Sequence, residues 1–166
     1  MKIRPAVSTD RERILQILDA TGRFTRQEIG WAMELVDLAV AEGGSSDYVV
    51  DVAEDPDSGP GRKVQGYVCF APAPFSDGVY DLYWIAVDPD RQHSGLGRFL
   101  LLHVENEVRR QGGRMLLIET SSKRSYAPTL RFYQSAGYRE ISRIKDFYRI
   151  EEDKVVFSKH LSNHER

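Results

Sequence analysis

The chain has 166 residues, 41% hydrophobic and 29% charged, which is long enough to bury a core without staples and too apolar for a disordered chain. Its formal charge of -2 and pI near 6.1 lack the basic excess that neutralises phosphates, so no nucleic-acid partner is expected. The only cysteine, Cys69, excludes an intrachain disulfide and a cysteine-based zinc cluster. No run approaches the roughly 18 apolar residues of a membrane span, and no apolar segment follows Met1–Pro5. The expectation is one cytoplasmic domain over residues 1–166, with no membrane partner.

Lys2 to Pro5 reads as a short strand. Thr9 and Glu12 have capping-box spacing ahead of the stripe Ile14, Leu15, Ile17 and Leu18, which predicts a first amphipathic helix. Thr25 and Glu28 repeat the signal before Ile29, Ala32, Met33, Val36 and Val40, and that second helix is expected to stop at Gly43-Gly44. Tyr48 to Ala53 and Val64 to Ala71 are rich in β-branched and aromatic residues, and the breaker-rich Asp55–Gly61 between them predicts a hairpin. After the Pro72–Gly78 loop, Val79 to Val87 is the clearest strand in the sequence.

Gly95 to Arg110 keeps a helical period through Leu96, Phe99, Leu100, Val104 and Val108, closed by Gly112-Gly113. Met115 to Thr120 reads as a buried strand. Pro128 suits a first helical turn, Phe132-Tyr133 supply apolar bulk, and Gly137 suits the left-handed position after the helix end. Tyr138 to Lys145 and Lys154 to Lys159 predict two last strands around Glu151-Glu152-Asp153. The order βααβββαβαββ mixes hairpins with crossover helices, which means an α/β domain on a mixed sheet.

The chemically informative stretch runs from Asp81 to Arg98: a strand, a turn and a glycine-bearing helix start. Gly95 and Gly97 let backbone approach a ligand closely, and the unpaired N–H groups of a first helical turn favour phosphate oxygens. The three-glycine dinucleotide fingerprint is absent because Arg98, Phe99 and Leu100 follow, and there is no phosphate-loop Gly-Lys-Ser/Thr. Gln92-His93-Ser94-Gly95-Leu96-Gly97 resembles the pyrophosphate signature Gln/Arg-x-x-Gly-x-Gly/Ala of the GNAT acetyltransferases. Phe132-Tyr133-Gln134-Ser135-Ala136-Gly137-Tyr138 resembles that family's late Leu-Tyr-x-x-x-Gly-Phe motif, and the element order is similar over nearly the whole chain. Two departures stand out: His93 occupies a place often held by glycine, and Tyr126 stands where many members carry asparagine.

The resemblance implies a GNAT fold, with a central sheet of about six to seven strands and four flanking helices, and an acetyl-CoA-dependent N-acetyltransferase. It implies that Ile85, Ala86 and Val87 hold the pantetheine arm by backbone, as an added strand would be held. It assigns the pyrophosphate to the backbone of Gln92, His93, Ser94, Gly95, Leu96, Gly97 and Arg98, with Tyr126 in place of the asparagine contact. Direct acyl transfer needs a base for the acceptor amine and an acid for the thiolate. Glu119 and Asp81 are the base candidates, because each is an acidic residue in an apolar strand where burial would raise its pKa; Glu119 is the first choice. Tyr133 is the acid candidate by its place in the late motif.

His93, His103, His160 and His164 have no ligand spacing between them, and no metal is expected. A small-molecule amine or a peptide N-terminus is the expected acceptor. Trp31, Glu34, Asp37, Phe75, Tyr83 and Phe147-Tyr148 are candidates to face it, and the Lys145–Tyr148 segment resembles that region of protein N-terminal alanine acetyltransferases. A homodimer is common among such proteins, though no exposed apolar stripe marks an interface in the sequence. The competing reading is a non-catalytic acyl-CoA-binding sensor or regulatory module, since an intact pyrophosphate loop needs only to bind.

Overall fold

The computed structural model describes residues 1–41, 46–59, 61 and 63–161. The elements are β1 (Lys2–Pro5), α1 (Arg11–Ala20), α2 (Arg26–Val40), β2 (Val49–Glu54), β3 (Val64–Pro72), β4 (Val79–Val87), α3 (Leu96–Arg110), β5 (Met115–Ser121), α4 (Ala127–Ser135), β6 (Arg139–Arg149) and β7 (Glu152–His160). This is the order the sequence predicts, a mixed α/β fold of seven strands and four helices. The strands follow the sheet order β1-β2-β3-β4-β5-β7-β6. β4 and β5 run parallel, and β1–β2, β2–β3, β5–β7 and β6–β7 run antiparallel.

The chain forms two compact units, Met1–Ala71 with Tyr83–Val104 and Pro72–Leu82 with Glu105–Arg166. In the first, α1 and α2 bury Ile14, Ile17, Leu18, Ile29, Ala32, Met33 and Val36 against Val50, Val52, Tyr67, Cys69 and Ala86. Burying this much aliphatic side chain is the main stabilising term, at about 1.5–3 kcal/mol for each large residue. The Tyr67 hydroxyl has no hydrogen-bond partner among the described residues. Its burial without one costs about 1–3 kcal/mol. Cys69 is fully buried, and burial pushes its thiol up to about 12.

Helix starts follow their caps. The Thr25–Glu28 box forms as expected: Thr25 N–H donates to Glu28 Oε2 at 2.7 Å and Glu28 N–H to Thr25 Oγ1 at 3.2 Å. The Thr9–Glu12 box does not form. Ser8–Asp10 is a 3₁₀ turn, and the Asp10 carboxylate accepts from Val7 N–H at 2.9 Å and from Arg4 at 2.7 Å, so the side-chain cap sits on this turn and not at the start of α1. The expected stop of the second helix at Gly43-Gly44 lies outside the described residues.

In the second unit, Glu105 on α3 is buried, its side chain 2% exposed. It accepts from Tyr138 Oη at 3.1 Å and from Lys159 Nζ at 2.8 and 3.0 Å, and Lys159 also donates to the Ala136 carbonyl at 3.0 Å. This network ties α3, the end of α4 and β7 together. Gly137 has φ +88°, the left-handed conformation expected after α4. β6 and β7 are longer than expected, and the turn is shorter. Glu152 and Asp153 belong to β7, while Glu151 takes φ +65° in the reversal after Arg149. β6 is exposed along its whole length and presents Ile141, Ile144, Phe147 and Tyr148 to solvent, an apolar band that the sequence reading did not find. Among the described residues no helix is long and apolar enough to cross a membrane.

Candidate active site

In the second unit the parallel register of β4 and β5 runs from Val79↔Met115 to Leu82↔Ile118. Asp81 faces Leu117 across it, and Glu119 lies two residues further along β5, on the same face of the pleat. Glu119 pairs with Val156 on β7, and Lys154, two residues before Val156, reaches Glu119 Oε2 at 2.6 Å. Register alone therefore assembles Asp81, Glu119 and Lys154 on one face, and Lys154 Nζ lies 4.8 Å from the Phe147 ring centroid.

The two acids differ in environment. Glu119 is not buried as expected: its side chain is 51% exposed and held by Lys154. Asp81 is half-buried. Desolvation raises its pKa first, the Glu119 charge adds to this, and Lys154 opposes it. Burial thus raises the pKa of Asp81, as expected of an acid in an apolar strand.

Tyr133 lies on the opposite face. Its ring packs on Phe132, Tyr138 and Phe157 with centroids at 5.3, 6.0 and 5.9 Å. Phe157 pairs with Ile118 whereas Val156 pairs with Glu119, so alternation puts the phenol and the two acids on opposite sides of β5–β7. Burial pushes the Tyr133 hydroxyl above its ordinary value, with nearby Tyr126 adding to it. Tyr133 thus keeps its proton through the physiological range. Tyr126 is half-buried at the entry to α4, with Lys123 Nζ 4.9 Å from its ring centroid.

The first unit carries the other expected residues. Asp88 N–H donates to Gln65 O at 2.8 Å, which ties the residue after β4 to β3. Ile85 and Val87 are half-buried and Ala86 buried. Beyond them Asp88 caps a 3₁₀ turn, Pro89–Arg91, and Gln92 leads to His93 and Ser94, both exposed.

His93 has φ +62° and Gly95 φ +85°. The left-handed conformation is the physical reason for glycine in the family position, and histidine tolerates it at a cost. Nothing lies within 4 Å of the place a Gly95 Cβ would take, so the loop is open there. The Gly95 carbonyl accepts the Phe99 N–H at 3.0 Å, and Leu96, Gly97 and Arg98 form the first turn of α3. The N-terminus of a helix favours anions in general. The Leu96 side chain is 6% exposed, so any contact it makes there is through backbone.

Of the expected acceptor-facing residues, Asp37 is held by Arg11 at 2.6 Å, Tyr83 packs edge-on against Tyr48 with centroids 5.4 Å apart, and Phe147 and Tyr148 pack on each other at 4.9 Å. Phe75 stands fully in solvent with φ +59°.

Comparison with known proteins shows the family. The acetyltransferase (GNAT) domain family matches residues 46–140. A GNAT-family protein from Desulfovibrio desulfuricans is 42% identical, with TM-score 0.90, over 97% of this chain and 99% of its own. The ribosomal protein bS18-alanine N-acetyltransferase of Escherichia coli is 39% identical over 67 residues, 40% of this chain and 44% of its own length, so the match spans less than half of that curated relative. The structure of yncA from Salmonella typhimurium with acetyl-CoA shares the fold, with TM-score 0.70 and 22% identity over 100% of this chain and 96% of its own. With more than half of its length matched by the family and a relative of similar fold along almost all of it, the chain belongs to the GNAT acetyltransferase family.

Proposed function

We propose that this chain is an acetyl-CoA-dependent N-acetyltransferase that moves an acetyl group directly to a primary amine. The observation that carries the reading is the end of β4. The strand runs into a left-handed, glycine-bearing loop that opens a 15-residue helix. Acetyl-CoA, when bound, supplies a thioester for attack and a thiolate to leave. The backbone of Ile85, Ala86 and Val87 holds the pantetheine amides and turns an N–H toward the thioester carbonyl. The backbone from Gln92 to Arg98 holds the pyrophosphate, with Tyr126 as a further contact.

Asp81 takes the proton of the acceptor ammonium, with Glu119 keeping its pKa up and Lys154 limiting the rise. Tyr133 holds the proton for the departing thiolate. Against a free thiol at about 8.5 and a phenol at about 10, full transfer is uphill, and burial makes it more so. Tyr133 therefore acts first as a hydrogen-bond donor to sulfur. The two units work together as one domain in this reading, and the setting is cytoplasmic.

A peptide α-amine is the acceptor class favoured by the likeness to the bS18-alanine enzyme, ahead of small amines. The test is acetyl-CoA thiol release over a panel of peptides, polyamines, amino acids and aminoglycosides, with Asp81→Asn and Tyr133→Phe alongside. Release with one class, weakened in both variants, supports the reading. Tight acetyl-CoA binding with no release from any amine overturns catalysis in favour of a sensing module.

A further inference from the structure

We infer that Arg13 on α1 is a positioning residue for the cofactor loop, a role that rests on the reading of that loop as the pyrophosphate cradle. Arg13 and Asp88 form an ion pair with side chains only 14% and 9% exposed. The Arg13 guanidinium makes two bonds at once: Nε donates to the Val64 carbonyl at 3.1 Å, and Nη2 donates to Asp88 Oδ2. It therefore joins the start of β3 to the residue that follows β4. The two strands are already bonded at this point through Asp88 N–H and the Gln65 carbonyl at 2.8 Å.

From Asp88 the bonds continue into the loop without a gap. Asp88 Oδ1 accepts from Asp90 N–H at 3.0 Å, and the Asp88 carbonyl accepts from Arg91 N–H at 2.8 Å. The Arg91 side chain is tied to Asp55 at 3.0 Å, and its carbonyl accepts from Ser94 Oγ at 2.5 Å. Ser94 precedes Gly95 and the first turn of α3. The neighbouring strand is packed too tightly to compensate for a shift. A Cβ on Gly66 would lie 2.9 Å from the Ala86 carbonyl and 3.0 Å from Leu100 Cδ1, so the end of β4 and α3 close on β3 with no slack.

A buried carboxylate that loses its cation is an uncompensated charge, and the loop it caps would relax to hydrate it. Preorganised donors lose their value when they move. Arg13 touches no substrate in this scheme. It acts through Asp88.

The experiment uses the full chain and the variants Arg13→Gln, Arg13→Lys, Asp88→Asn and the Arg13→Gln/Asp88→Asn pair. Calorimetry measures the Kd for acetyl-CoA, steady-state kinetics separates KM from kcat, and amide hydrogen exchange of the ligand-free protein follows residues 88–98. Arg13→Gln is expected to raise Kd and KM for acetyl-CoA about tenfold, with kcat at saturation changed less than about twofold, and to speed loop exchange about tenfold. Arg13→Lys recovers part of both, and the double variant is no worse than the worse single one, since both remove one interaction. A lower melting temperature with Kd within about twofold of wild type and unchanged loop exchange overturns the proposal and leaves Arg13 a plain structural pair. If the wild type binds no acetyl-CoA, the functional reading falls, and the exchange data alone decide whether Arg13 sets the loop.

Discussion

β7 carries two lysines five residues apart, each paired with a glutamate, and the pairs have opposite characters. Lys159 meets Glu105 at 2.8 Å and Lys154 meets Glu119 at 2.6 Å, so the contacts are alike. Alternation along the strand sends the two lysines to opposite faces. Glu105 is 2% exposed and its lone pairs are taken up by Lys159 and Tyr138. Glu119 is 51% exposed and shares its field with Asp81. The first pair has no unmet chemistry and holds elements together. The second leaves a carboxylate in reach of solvent beside another whose pKa it raises, an arrangement that holds little together and can move a proton.

Breaking each pair should show the difference. Glu105→Ala strands Lys159 and Tyr138 and is expected to cost about 3–5 kcal/mol in denaturant unfolding, most of it regained when Glu105→Leu is combined with Lys159→Met. A cost under about 1 kcal/mol would remove the contrast between the faces. Asp81→Asn is expected to lower kcat/KM about a hundredfold or more, as loss of a general base does.

The same Asp81→Asn change should raise stability at neutral pH. A carboxyl whose folded pKa is raised gives stability that is present below its unfolded pKa and lost as pH rises through the folded one. Burial and Glu119 raise Asp81, so the gain is expected at pH 7 and absent near about pH 3, below the ordinary value of about 3.9; thermal unfolding against pH checks it. Finer still, Glu119→Gln removes the like charge and should move the acid limb of the kcat/KM profile to lower pH, while Lys154→Met should move it higher. Both should change stability by less than about 1 kcal/mol. Shifts in the same direction from these two variants would show that the limb does not report Asp81.

The legible part of this molecule was local. The Thr25–Glu28 cap, the glycine after α4 and the Gln92–Gly97 loop each depend on residues within a few positions, and each could be read directly. The seven strands and four helices followed from periodicity for the same reason. The Asp81–Glu119–Lys154 cluster is not local: it exists because β4, β5 and β7 meet in one register, and Lys154 gave no signal of its own. Glu105 did leave a trace. It sits among Leu101, Val104 and Val108 on the buried side of α3, and an acid in an apolar stripe asks for a partner. Naming Lys159 and Tyr138 as those partners required the tertiary fold.

Cys69 has a practical consequence. It is the one thiol of the chain, fully buried among the side chains of α1 and α2 and raised to about 12. Thiol reagents act on the thiolate, so the folded first unit is protected twice, by access and by protonation. Modification must wait for that unit to open, and its rate then counts opening events in the first unit alone. The chain thus carries its own clock for the half that bears the cofactor loop, one that any added ligand of that loop should slow.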